Sequence, residues 1–283
     1  MIHYQIRYEA ENFYEHEVKE ALFEFLVLPV KDDTQLVTEI LIENSLDVPV
    51  FWSRNVFGFD VLCLRVAQPF THLKFSVACS VRRSTNRVLP NTARCLPLEE
   101  ERTLLQSEDF QVDHYLYVQQ TALTTLLHSE IPPALLYNYD QLLFDYVNKL
   151  NQSIYGMMEY RPLVTTTTTT AREVMSNPQG VCQDYSHLML GILRHHRIPS
   201  RYVAGYLNQG QDFMGSTQMH AWVEVFIPEL GWVGFDPTNN LLVDHHHIKV
   251  ADGLDYTDCS PLKGHINPGV TNTTGHVVQV VEQ

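Results

Sequence analysis

Basic residues are scarce in this chain, with 19 lysines and arginines against 33 aspartates and glutamates and a formal charge of −14. An acidic surface repels phosphate backbones and anionic lipid, so neither nucleic acid nor membrane is expected as a partner. Long apolar runs are missing as well. None approaches the ~18 residues needed to span a bilayer. Met1-Ile2-His3-Tyr4-Gln5-Ile6 enters alternation at once, without the basic stretch and apolar core of a secretory leader. The expectation is a cytoplasmic protein. Cysteine is sparse: Cys63, Cys79, Cys95, Cys182 and Cys259, none in a CxxC pair. Their odd number and loose spacing indicate neither a disulfide framework nor a zinc knuckle, and no cofactor or metal is expected. Internal repeats are absent. Core material is plentiful: 45% of the 283 residues are apolar, enough for one large domain or two ordinary ones.

Residues 2 to about 95 read as β. Ile2, Tyr4, Ile6 and Tyr8 alternate with polar residues, and Ala21–Val30, Leu36–Ile42, Val61–Val66 and Leu73–Val81 follow. Turn residues such as Lys31-Asp32-Asp33 and Gln68-Pro69 separate the runs. Short strands at this spacing predict an antiparallel β-sandwich over residues 1–105, including a connector at Asn86–Gln106. Cys63 and Cys79 fall in its apolar runs and read as inert core. No paired nucleophile and base occurs in this half.

Beyond the connector, residues 106–283 form the second expected domain. Leu136, Tyr139, Leu143, Val147 and Leu150 recur at helical spacing within Leu135–Ile154. Thr165–Thr170 suits an extended segment, and Thr170-Ala171-Arg172-Glu173 has the form of a capping box. After the turn Asn177-Pro178-Gln179-Gly180 comes a helix carrying Tyr185, Leu188, Met189, Ile192 and Leu193 on one face. Then follow strands at Ser200–Leu207, His220–Ile227 and Trp232–Phe235, with a polar loop at Asn208–Met219 placed to cover a site. Helix first and antiparallel sheet after is an α+β arrangement.

Cys182 falls on the first turn of that helix, where free N–H groups and the macrodipole favour negative charge. With a cationic partner, a thiol so placed moves from a pKa of ~8.5 toward ~3.5–7.5, and its backbone N–H can hold an oxyanion. A thiolate nucleophile needs a base, and the base needs an orienter. His220, Trp222, Glu224 and Phe226 share one face of a strand, and Trp232, Gly234 and Asp236 one face of the next. Pairing Phe226 with Leu230 sets Asp236 opposite His220. A tighter turn pairing Ile227 with Trp232 sets it opposite Val223 instead, and both registers stay open.

Four stretches carry a family resemblance: Gly180-Val181-Cys182-Gln183-Asp184-Tyr185-Ser186-His187, Ile198–Tyr206, His220–Val225 and Gly231–Thr238. Together they resemble the transglutaminase-like superfamily, and in particular a bacterial branch described as cysteine proteases. The resemblance implies a β-sandwich ahead of a papain-like α+β core, with Cys182 as nucleophile, His220 as base and Asp236 as orienter. It implies attack on an amide or peptide bond through a thioester acyl-enzyme. Oxyanion donors would be the backbone N–H of Cys182 and an upstream aromatic, taken as Tyr155. Acyl transfer to an amine and a non-catalytic binding module are the alternatives; the complete Cys-His-Asp set speaks against the module.

Other residues read more plainly. Asp184 and His187 fix the helix start and core, Trp222 and Trp232 form core or cleft wall, and Glu224 is a structural carboxylate. His245-His246-His247 invites a metal reading, but only His245 and His247 share a face of an extended strand, and two ligands do not make a zinc site.

Overall fold

Alternation in the first 83 residues produces six strands: β1 (Ile2–Val18), β2 (Ala21–Phe25), β3 (Gln35–Asn44), β4 (Val50–Arg54), β5 (Asp60–Val66) and β6 (Phe70–Arg83). Then come α1 (Leu98–Gln106), α2 (Glu108–Asp113), α3 (Leu143–Met157), β7 (Glu159–Tyr160), α4 (Ala171–Ser176), β8 (Gln179–Gly180) and α5 (Cys182–His195). Strands β9 (Ser200–Leu207), β10 (His220–Ile227), β11 (Gly231–Asp236), β12 (Leu241–Leu242) and β13 (His247–Gly253) follow, then α6 (Tyr256–Cys259), β14 (Leu262–Ile266) and β15 (Asn272–Glu282). The computed structural model describes residues 1–85, 95–209, 213–266 and 271–283.

The sandwich consists of two antiparallel four-stranded sheets, ordered β15-β1-β6-β3 and β14-β2-β5-β4. Tyr4, Ile6, Tyr8 and Ala10 point inward from alternate positions of β1. Phe25 on β2 stacks on Phe75 of β6, ring centroids 3.7 Å apart, which ties one sheet to the other. Each buried ring of this kind contributes roughly 1.5–3 kcal/mol in transfer free energy. Two of the eight strands come from the far end of the chain. β15 pairs with β1, Tyr4 facing Glu282, and β14 pairs with β2, Leu262 facing Phe25. The domain expected at 106–283 takes in these two strands, yet in the fold they complete the first.

The second unit is mixed α+β, a five-stranded sheet ordered β12-β11-β10-β9-β13 with α5 packed on β9 and β10 and α3 and α4 against α5. Three local expectations change here. Of the expected connector, residues 86–94 lie outside the described residues and Leu98–Gln106 is helical. The helix expected from Leu135 starts at Leu143, because Tyr139 adopts φ 58° and breaks the run. Leu142 has no capping side chain; the buried Glu101 of α1 accepts from the Leu143 N–H at 2.7 Å instead. A carboxylate suits that end of the dipole.

The threonine run forms turns rather than a strand. Its hydroxyls bond locally, Thr166 N–H donating to Thr169 Oγ1 at 2.9 Å, which competes with a sheet ladder. Thr170 does cap α4, with Glu173 closing the box. No helix among the described residues is long and apolar enough to cross a membrane.

Candidate active site

Cys182 opens α5. The turn before it is held by Asp184, whose Oδ2 accepts from Val181 N–H and Thr165 Oγ1, each at 2.7 Å. A Cβ on Gly180 would overlap that carboxylate, so the turn admits only glycine. Cys182 through Arg194 are all buried, rather than one face of the helix. Several polar side chains there have partners. His187 Nε2 accepts from Tyr256 N–H at 3.2 Å, Arg194 donates to the Ser200 carbonyl at 2.8 Å, and Gln183 donates to the Thr167 carbonyl at 3.2 Å.

His220 and Asp236 meet on neighbouring strands, with His220 Nε2 2.8 Å from Asp236 Oδ2 and both side chains fully buried. The register differs from both expectations. Ile227 faces Gly231 and Val223 faces Phe235, which sets Asp236 diagonal to His220. The cause is a three-residue turn, Pro228-Glu229-Leu230, with positive φ at Glu229 and Gly231. The offset from the first expected register is two residues, and a shift of two keeps every side chain on its face. Burial disfavours charge on His220, but Asp236, aided by the Cys182 sulfur, outweighs it and holds the imidazole up to about 10. Burial likewise opposes ionisation of Asp236, and His220 with His247 brings its carboxyl far below the usual range. His220 Nδ1 makes no well-formed hydrogen bond among the described residues, although the Cys182 sulfur is near enough to favour the imidazolium.

Asp236 has further donors. Thr238 N–H and Asn239 N–H reach Oδ1 at 2.9 and 3.2 Å, and Asn239 Nδ2 reaches Oδ2 at 2.9 Å. Asn239 also clips the covering loop, since its Oδ1 accepts from Met214 N–H at 2.9 Å. Residues 210–212 of that loop lie outside the described residues; Gly215, Thr217, Gln218 and Met219 line the cavity over Cys182 and His220.

That cavity is about 460 Å³. The sandwich supplies part of its wall through Tyr8 of β1 and His276 of β15, joined by a hydrogen bond of 2.9 Å. No Asp, Glu, Lys or Arg is among its described lining residues. Tyr155, the expected second oxyanion donor, is 43% exposed and not part of the lining. Tyr160 lines it instead, and burial together with nearby Cys182 pushes its phenol up to about 12. The five-residue offset reflects where α3 ends: Tyr155 is still on its outer surface, and Tyr160 sits on β7, paired to β8 just ahead of Cys182.

His245 and His247 do not converge. His247 is buried with Nε2 3.2 Å from Asp236 Oδ2, whereas His245 lies beside Asp244 near the surface. Donor atoms of His220, Asp236 and His247 lie within 4.8 Å of one another. Their N···O separations of 2.8 and 3.2 Å fit direct hydrogen bonds from both imidazoles to the one Asp236 oxygen. Glu224 is structural, paired to Arg201 at 2.6 Å and Lys249 at 2.8 Å.

Residues 137–237 match the family model of the transglutaminase-like superfamily. The fold matches a structure from Cytophaga hutchinsonii described as a putative cysteine protease, with a TM-score of 0.69 at 18% identity, covering 99% of this chain and 90% of that one. An uncharacterized protein of Mycobacterium tuberculosis is 38% identical over 147 residues, 49% of this chain. The chain covers 46% of that relative, about half its length. A protein-glutamine gamma-glutamyltransferase of Pseudomonas aeruginosa is 43% identical over 82 residues, 27% of this chain and 12% of that one. Residues 137–237 thus carry a transglutaminase-like domain. That domain supports a thiol enzyme in general terms.

Proposed function

We propose that this protein hydrolyses amide bonds, as a peptidase or amidase, through a thioester on Cys182. One observation carries the reading. His220 is buried with Nε2 held by Asp236 at 2.8 Å, while Nδ1 lacks a hydrogen-bond partner among the described residues, and the ring lines the cavity that holds Cys182. In this reading the Cys182 thiolate bonds the carbonyl carbon, and the C=O electron pair moves to oxygen. The Cys182 N–H and the Tyr160 hydroxyl receive that charge; one such donor is worth roughly 10²–10³ in rate. His220 Nδ1 then protonates the departing nitrogen, the C–N bond breaks, and a thioester remains. Water attacks it, giving a proton to Nδ1, and the collapse releases acid and restores the thiolate. A lining without Asp, Glu, Lys or Arg suits a peptide or protein segment with neutral flanks.

Similarity to the Pseudomonas glutamyltransferase favours a second reading, in which an amine rather than water takes the acyl group. A library of peptidyl acyloxymethyl ketones, followed by peptide mapping, tests the thiol chemistry. The expected result is an adduct on Cys182 that is abolished in Cys182→Ala and strongly slowed in His220→Ala. Failure of every library member to modify Cys182 would overturn the proposal. Turnover of the preferred peptide amide with a primary amine present separates the readings, since hydrolysis yields acid and transfer yields a new amide.

A further inference from the structure

We propose that His247 is a positioning residue for the Cys182–His220 pair, acting through Asp236. The inference rests on the thiol-enzyme reading above and adds a second imidazole to it. Asp236 Oδ2 faces three N–H donors: His220 Nε2 at 2.8 Å, Asn239 Nδ2 at 2.9 Å and His247 Nε2 at 3.2 Å. With the two backbone bonds to Oδ1, the carboxylate accepts five. How strongly a carboxylate holds an imidazolium proton depends on how much of its charge other donors already satisfy. His247 therefore moderates the pull of Asp236 on His220, and it holds the oxygen that both rings share.

The surroundings of His247 fix this role. Its Nδ1 lies 3.4 Å from the Asp244 N–H and 3.4 Å from Asp244 Oδ1. Whether Nδ1 accepts from that amide or, in the imidazolium, donates to that carboxylate, Nε2 keeps the proton that the bond to Asp236 needs. Its backbone is held on both sides, the N–H donating to the Asp244 carbonyl at 3.2 Å and the carbonyl accepting from Arg83 Nε at 3.1 Å. The charged and titratable groups around it are Asp244 and His246 on its own segment, His220 from β10, Asp236 from β11 and Arg83 from β6. The Trp222 ring closes the remaining side edge-on, its centroid 5.4 Å away. Ring and oxygen are thus locked by contacts from three strands and one turn, with no freedom to re-pair.

The test is the pH dependence of Cys182 alkylation by iodoacetamide in the full chain, for wild type, His247→Leu and His247→Gln. Loss of the donor in His247→Leu should raise the imidazolium step of the profile by about one unit, the size of one charge-assisted hydrogen bond. His247→Gln carries an N–H near the position of Nε2 and should stay within a few tenths of wild type. A His247→Leu profile that superimposes on wild type, or moves down, would overturn the proposal. Should that variant not fold, NMR of ¹⁵N-histidine-labelled wild type decides: the expected state is His247 protonated at Nε2 at neutral pH, and a proton on Nδ1 alone would overturn it. Wild-type Cys182 that reacts no faster than the other cysteines would sink the thiol-enzyme reading instead, and the tautomer measurement would still stand as the test of His247.

Discussion

Gly215 lies directly over His220: a Cβ at this glycine would come 2.9 Å from the ring's Nδ1, the nitrogen that faces the cavity. Its φ of +83° adds a second reason for glycine, since that region disfavours any side chain. Gly215→Ala should displace the imidazole while leaving the sheet beneath it intact. We expect Cys182 alkylation at neutral pH to slow about ten- to a hundredfold, the scale of an ångström-level misplacement. An unchanged rate would mean that the loop does not set the ring's position.

Thiol reactivity should be confined to Cys182. Burial pushes the Cys79 thiol up to about 12 and raises Cys63, Cys95 and Cys259 as well. Cys259 makes the sharpest comparison, because it lines the same cavity but has Asp252 and Asp258 near it in place of an imidazole. Limiting iodoacetamide at mildly acidic pH should label Cys182 first, and His220→Ala should slow that labelling. Equal labelling of Cys259 in the folded protein would refute this.

Stability should fall on both sides of a plateau. His220 has a folded pKa of about 10 against an ordinary 6.5, so its contribution is complete below pH 6.5 and is lost as pH rises toward 10. Glu224 runs the other way. Burial opposes its charge, Lys249 and Arg201 outweigh burial, and its pKa drops from 4.5 to about 2, so its contribution is lost as pH falls through that interval. Urea midpoints should be highest between pH 4.5 and 6.5. His220→Gln should flatten the alkaline limb and Glu224→Gln the acid limb. An alkaline limb unaltered by His220→Gln would show that other groups dominate it.

Purified protein should carry no stoichiometric metal, because the Asp236 carboxylate is already engaged by both buried imidazoles. Elemental analysis after dialysis measures this directly. One retained zinc per chain would overturn it.

Much of this molecule could be read locally. Period-two alternation marked five of the six N-terminal strands, and β4 escaped because Phe51 and Trp52 both face solvent, leaving no buried stripe. The proximity of His220 and Asp236 followed from strand alternation, which survives a two-residue error in register. What escaped depends on contacts distant in sequence. Nothing within β15 says that β1, more than 250 residues away, is its partner. Pattern alone sets aside the metal reading of His247 but assigns it no other role, because its neighbour Asp236 is supplied by another strand. Tyr160 was passed over for Tyr155 because only the tertiary path of β7 brings it to the cavity.

The bond between Tyr8 and His276 ties together residues 268 positions apart across the cavity wall. Synthesis proceeds from the N-terminus, so the wall stays open until residue 276 has left the ribosome, long after Cys182, His220 and Asp236 have emerged. Closing so long a loop comes late in folding as well. Maturation of the cleft is thereby coupled to completion of β15. A nascent or truncated chain would hold the thiol and the imidazole but lack the enclosure in which a substrate could be gripped.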